Sequence, residues 1–126
     1  MKVVPLDPPR VFNAGGTPPV LLRDCGRIML EPDELVTFVT ESGAEYDVGR
    51  KVWGFYATPS LNGRLRSFGW RVALVRNPAG RYYVLLLEAG RDGEFNEYLS
   101  REQQTLVCWL DRDEHLAAIA AAMEGT

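Results

Sequence analysis

Residues 70–88, WRVALVR-NPAG-RYYVLLLE, constrain the fold more than any other stretch of the chain. Two runs rich in β-branched and aromatic residues flank Asn77, Pro78 and Gly80, which supply type I turn chemistry followed by a residue free to take positive φ. A β-hairpin is predicted. If the loop is residues 77–80, Arg76 faces Arg81, Leu74 faces Tyr83, Val72 faces Leu85 and Trp70 faces Leu87. On the opposite face Val75 meets Tyr82, Ala73 meets Val84 and Arg71 meets Leu86, with Glu88 diagonal to Arg71. Both faces are largely apolar, which predicts a central position in a sheet covered on both sides.

The flanking sequence extends this β reading. GRIMLE, a turn at Pro32 and Asp33, ELVTFVT, a turn at ESG, and EYDVGRKVWGFYA read as a β-meander. Ahead of it, Pro5, Pro8, Pro9, Pro18 and Pro19 with Gly15 and Gly16 predict an extended, irregular arm over residues 1–22 that wraps the domain. After Gly90 the period becomes helical, with Asp92 as N-cap and Phe95, Tyr98 and Leu99 on one face. TLVCWL is then a further buried strand. In DRDEHLAAIAAAM, Asp111 and Glu114 stand at capping-box spacing, and Leu116, Ile119, Ala120 and Met123 form a stripe that packs on the sheet. The expected fold is α+β in a single domain, residues 1–126: an antiparallel β-sheet or partial barrel, made of the meander plus the central hairpin 70–88, followed by helix, strand and helix.

Several function classes drop out. With 46% hydrophobic and 25% charged residues the composition is that of an ordinary globular chain. Pro5 and Asp7 interrupt any signal-peptide core, and the longest apolar runs are far short of the ~20 residues that cross a bilayer. The expected setting is the cytoplasm, without membrane contact, and Cys25 and Cys108 are expected as reduced thiols. One histidine, His115, cannot build a multi-histidine metal site, so neither metal nor cofactor is expected. Gly54, Gly63 and Gly69 form neither GxGxxG nor a Walker loop. The acidic balance, net charge -3 and pI near 5.2, argues against duplex nucleic acid.

The charge is unevenly placed. Residues 50–87 hold seven basic side chains and no acid, while all seventeen acidic residues lie elsewhere. Within that window GFYATPSLNGRLRSFGWR offers a candidate site. If residues 55–62 are extended, Tyr56, Thr58, Ser60 and Asn62 project from one face, Pro59 marks an edge, and an Asn62-Gly63 turn delivers Arg64 and Arg66 beside them, with Arg71 following. Hydroxyls, an amide and guanidinium forks suit an anionic or phosphorylated small molecule or a sugar derivative. The competing reading is a basic face paired internally with the chain's own carboxylates. A like-charge pair of Arg76 and Arg81 would favour a bound anion between them.

Three functions follow. The first is a small binding or accessory domain with a basic, aromatic surface for an anion. The second is a protein–protein interaction or homo-oligomeric module, as in a homodimer, in which the proline-rich arm or the strand edge pairs with another subunit. The third is an enzyme using Cys25 and His115, which needs the two groups in contact. No catalytic residue is assigned.

Overall fold

A computed structural model describes residues 1–15, 18–57 and 59–125, the side chain of Ala57 excepted. The chain divides into two compact units, Met1–Thr37 with Asp47–Ala57, and Phe38–Tyr46 with Thr58–Thr126. It is α+β, with antiparallel strands throughout, no closed barrel, and a helix at the C-terminal end.

In the first unit β1 (Lys2–Ala14) and β2 (Val20–Met29) form a two-stranded ribbon, running from the pair Lys2 and Met29 to the pair Ala14 and Val20. The arm expected to be irregular is thus mostly regular strand. Its prolines are accommodated because the register shifts between Pro5 and Arg10, so Pro8 and Pro9 fall in the irregularity and need donate no ladder hydrogen bond. Gly26 sits opposite Pro5 at φ +156°, and a Cβ there would come within 2.7 Å of the Val4 carbonyl oxygen, so the ribbon closes only around glycine. Val3, Phe12, Leu22 and Ile28 share one face of the ribbon, Val11, Leu21 and Met29 the other. All of them are exposed.

The predicted meander is present as β3 (Leu35–Val39), β4 (Glu45–Lys51) and β5 (Gly54–Ala57), with the boundary between the units falling inside β3 and β4. The turn before β3 contains Asp33 at φ +68°, and the Glu34 N–H donates to the Glu31 carbonyl. Gly43 closes the turn after β3 at φ +92°, its N–H donating to the Thr40 carbonyl.

The second unit carries the core. Its sheet has the order β7-β6-β8, from β6 (Trp70–Arg76), β7 (Tyr82–Glu88) and β8 (Thr105–Trp109). Val72, Ala73 and Val75 of the middle strand are fully buried, joined by Leu87, Ala44 and Leu65. The hairpin is present, one residue out of the expected register: Arg76 faces Tyr82, Val75 faces Tyr83, Val72 faces Leu86 and Trp70 faces Glu88. The loop has three residues rather than four. The Asn77 N–H donates to the Arg81 carbonyl at 2.9 Å, the Asn77 Oδ1 accepts the Arg81 N–H at 2.9 Å, and Gly80 takes φ +80°. That side-chain bond pairs Asn77 with Arg81 and ends the ladder there. The expected opposition of Arg76 and Arg81 is therefore absent, and with it that argument for a bound anion. Nor is the hairpin central, because β8 pairs with β6 and leaves β7 at the sheet edge.

Three helices complete this unit: α1 (Arg64–Ser67), α2 (Asp92–Arg101) and α3 (Asp113–Glu124). Asp92 lies in the first turn of α2 rather than capping it, and Phe95 meets Trp109 of β8 with ring centroids 6.3 Å apart. Asp111 does not cap α3 either: the N-cap is Arg112, without a side-chain hydrogen bond. Of the α3 stripe expected to pack on the sheet, Leu116 is half-buried while Ile119 and Met123 are 41% and 65% exposed.

Candidate functional site

The extended polar row predicted for residues 55–62 does not form. β5 stops at Ala57, Thr58 lies outside the described residues, and Pro59 is buried. Ser60 then starts a helical turn: its Oγ accepts the Arg64 N–H at 3.0 Å and its carbonyl accepts the Leu65 N–H at 3.3 Å. A short polar residue that bonds local backbone donors ends an extended run, so Asn62 and Gly63 lead into α1 instead of a hairpin. Tyr56 belongs to the first unit; Ser60, Asn62, Arg64, Arg66 and Arg71 belong to the second.

Three of these residues converge on the chain between the end of β8 and the first residue of α3. Asn62 Nδ2 donates to Asp113 Oδ1 at 2.8 Å, and Arg66 Nη2 to the Asp111 carbonyl at 2.7 Å. Arg71 donates through Nε and Nη2 to the two Asp111 carboxylate oxygens, at 3.3 and 3.4 Å, and its guanidinium lies 3.8 Å from the centroid of the Trp109 ring. Arg64 stacks instead over Phe68. At the centre stands Asp111, 1% exposed. Where β8 ends, the Leu110 N–H still donates to the Val72 carbonyl, and Asp111 Oδ2 then accepts the Val72 N–H at 2.9 Å. The carboxylate thereby takes the place of a ladder carbonyl, and Arg71 neutralises it. In sequence this role was hidden, because an acid two residues before a helix reads as a cap.

Tyr56, 53% exposed, lines a cleft of about 510 Å³ in the first unit together with Asp33, Glu34, Arg50 and Lys51. Its cations are engaged: Lys51 Nζ meets Asp33 at 2.9 Å, and Arg50 donates to the Gly54 carbonyl and lies over Phe55. The Glu31 N–H donates to Glu34 Oε1 at 2.8 Å, and this bond first of all holds the Glu34 carboxyl below its ordinary range. A carboxyl lowered by folding contributes stability above its unfolded pKa and loses that contribution as the pH falls through the folded one. In a carboxyl-carbon NMR titration Glu34 is therefore expected to titrate below glutamates that lack such bonds, and the stability difference between wild type and Glu34→Gln is expected to vanish at the acid end.

A second cleft, of about 310 Å³, was not legible in sequence. Phe38, Val39, Tyr46, Trp70 and Leu86 give it a largely apolar lining, to which Thr40 also contributes. Burial here raises the Tyr46 phenol above its ordinary pKa, and Trp70 Nε1 donates to the Glu45 carbonyl at 2.5 Å.

Cys25 and His115, the pair of the third reading, belong to different units. Cys25 donates to the Arg23 carbonyl at 3.6 Å, while His115 Nδ1 accepts the Trp109 N–H at 2.9 Å. Among the described residues no group of three or more His, Cys, Asp or Glu side chains could hold a metal ion, and no helix is long and apolar enough to cross a membrane. No protein-family model, curated protein or solved structure matches the chain.

Proposed function

We propose that the chain is a homo-oligomeric protein–protein interaction module that works without a small-molecule ligand. The observation that carries this reading is the placement of its apolar side chains. Among the described residues of the first unit none of the large ones is buried, and Val3, Val11, Phe12, Leu21, Leu22 and Ile28 of the ribbon are 42–65% exposed. A two-stranded ribbon is marginal by itself in water, and apolar surface of this extent marks a surface meant to be covered. Burial yields roughly 25 cal/mol per Å², so covering such side chains is the largest stabilising term open to the unit. The rival reading, an anion held by residues 54–71, asks Arg66 and Arg71 to give up Asp111. Their present bonds weigh against that rival reading.

Sedimentation measured from sub-micromolar to high-micromolar concentration tests the proposal. The mass is expected to rise above the 14.1 kDa of one chain and to be insensitive to phosphate, nucleotides and phosphosugars. A constant single-chain mass, with phosphate-dependent NMR shifts confined to Arg64, Arg66 and Arg71, would overturn it in favour of the anion site.

A further inference from the structure

We infer that two copies of the chain join along the outer edge of β7, antiparallel and centred on Val84, with Tyr82 of each seated in the other's cleft beside Leu86. This inference rests on the oligomeric reading above and adds an interface in the second unit, distinct from the ribbon of the first.

The backbone sets the register. The bond from Asn77 N–H to the Arg81 carbonyl and that from Ala89 N–H to the Gly69 carbonyl bracket β7. Antiparallel partners alternate between exchanging hydrogen bonds and turning away, so the odd-numbered residues of β7 bond to β6 and the even-numbered ones present their N–H and C=O outward. A two-fold antiparallel pairing of two such edges must set even against even. Of these residues, Glu88 has its carbonyl engaged by the Arg91 N–H, which leaves Tyr82, Val84 and Leu86 as the continuous free edge. Centring the pair on Val84 sets Val84 against Val84 and each Tyr82 against the other copy's Leu86, so all three residues on both strands exchange bonds.

The side chains give the second argument. Tyr82, Tyr83 and Val84 are 57%, 42% and 55% exposed, whereas at the other end of the strand Leu86 is half-buried and Leu87 buried. That more buried end carries the apolar cleft of Phe38, Val39, Tyr46 and Trp70 on the face shared by Leu86 and Tyr82. In the antiparallel pair the bare end of one strand lies beside the more buried end of the other, and the exposed phenol ring enters the apolar cleft. That mutual fit singles out a second copy as the occupant. The opposite edge of the sheet offers no equivalent: β8 is broken by a register shift at Val107, and its Trp109 N–H is taken by His115.

The experiment uses the full chain in three variants, each checked for folding by circular dichroism. Val84→Pro removes an outward N–H and leaves the β6 ladder intact; Tyr82→Ala empties the cleft. Each is expected to weaken self-association roughly tenfold or more, as buried aromatic and central contacts do. Val84→Cys, in a background with Cys25 and Cys108 replaced by serine, is expected to form an intermolecular disulfide under mild oxidation. A wild type that associates while both weakening variants keep its affinity and Val84→Cys stays uncrosslinked would place the interface elsewhere, the ribbon being next, and would leave the oligomeric reading standing. A wild type of single-chain mass at every concentration would sink both. Phosphate is included as a control and is expected to change nothing.

Discussion

Replacing Asp111 by alanine is expected to destabilise the second unit by about 3 kcal/mol. The side chain is fully buried and does two jobs at once: it accepts the Val72 N–H in the middle of the sheet and both forks of Arg71. Truncation strands the Val72 donor, which belongs to a residue with no exposure at all. Arg71 suffers less, being about one-third exposed and able to recover water. Asn at this position keeps an oxygen for Val72 but loses the charge, so about half the penalty is expected. Urea denaturation of wild type, Asp111→Ala and Asp111→Asn, followed by Trp fluorescence, checks the order. A cost for Asp111→Ala within experimental error of zero would mean that the carboxylate does not hold the end of the sheet.

Leu65→Ala is expected to cost about 3 kcal/mol, in the range found for large-to-small changes at buried sites. Leu65 is 1% exposed and is the one buried side chain of α1, a single turn whose N-cap, Gly63, has no side chain to offer and whose first turn has no acid, Ser60 Oγ accepting the Arg64 N–H. So short a helix has no stability of its own; packing of this side chain is what keeps α1 in place. Loss of Leu65 is therefore expected to release α1 as well, seen as faster amide exchange at Arg66, Ser67 and Phe68. Neighbouring Arg64→Ala, which removes an exposed cation over Phe68, is expected to change stability by less than about 1 kcal/mol. Equal effects of the two substitutions would show that burial is not what fixes the turn.

How far the sequence carries is clearest at these residues. The strand–turn–strand pattern of residues 70–88 was legible because β-branched runs and turn residues act locally. Its register was not, because the choice between a three- and a four-residue loop hangs on one side-chain bond, from the Arg81 N–H to Asn77 Oδ1. The ribbon was hidden by its prolines, which weaken a ladder only where they must donate, and the irregularity between Pro5 and Arg10 removes that demand for Pro8 and Pro9. Arg66, Arg71 and Asn62, read in sequence as candidate anion-binding residues, have partners within the chain. Those partners are Asp111 and Asp113, some forty to fifty residues away in sequence, and no local pattern reports a contact of that separation. The same holds for the Leu86 cleft, whose lining comes from four separate stretches of chain.

The irregular outer side of β8 bears on how the molecule behaves when concentrated. A sheet with two open margins can add copies without limit and grow into a fibre, whereas one with a single open margin is finished after one addition. The extra residue at Val107 and the imidazole of His115 on Trp109 close one margin. Under the β7 pairing proposed above, assembly through this sheet is expected to stop at two copies.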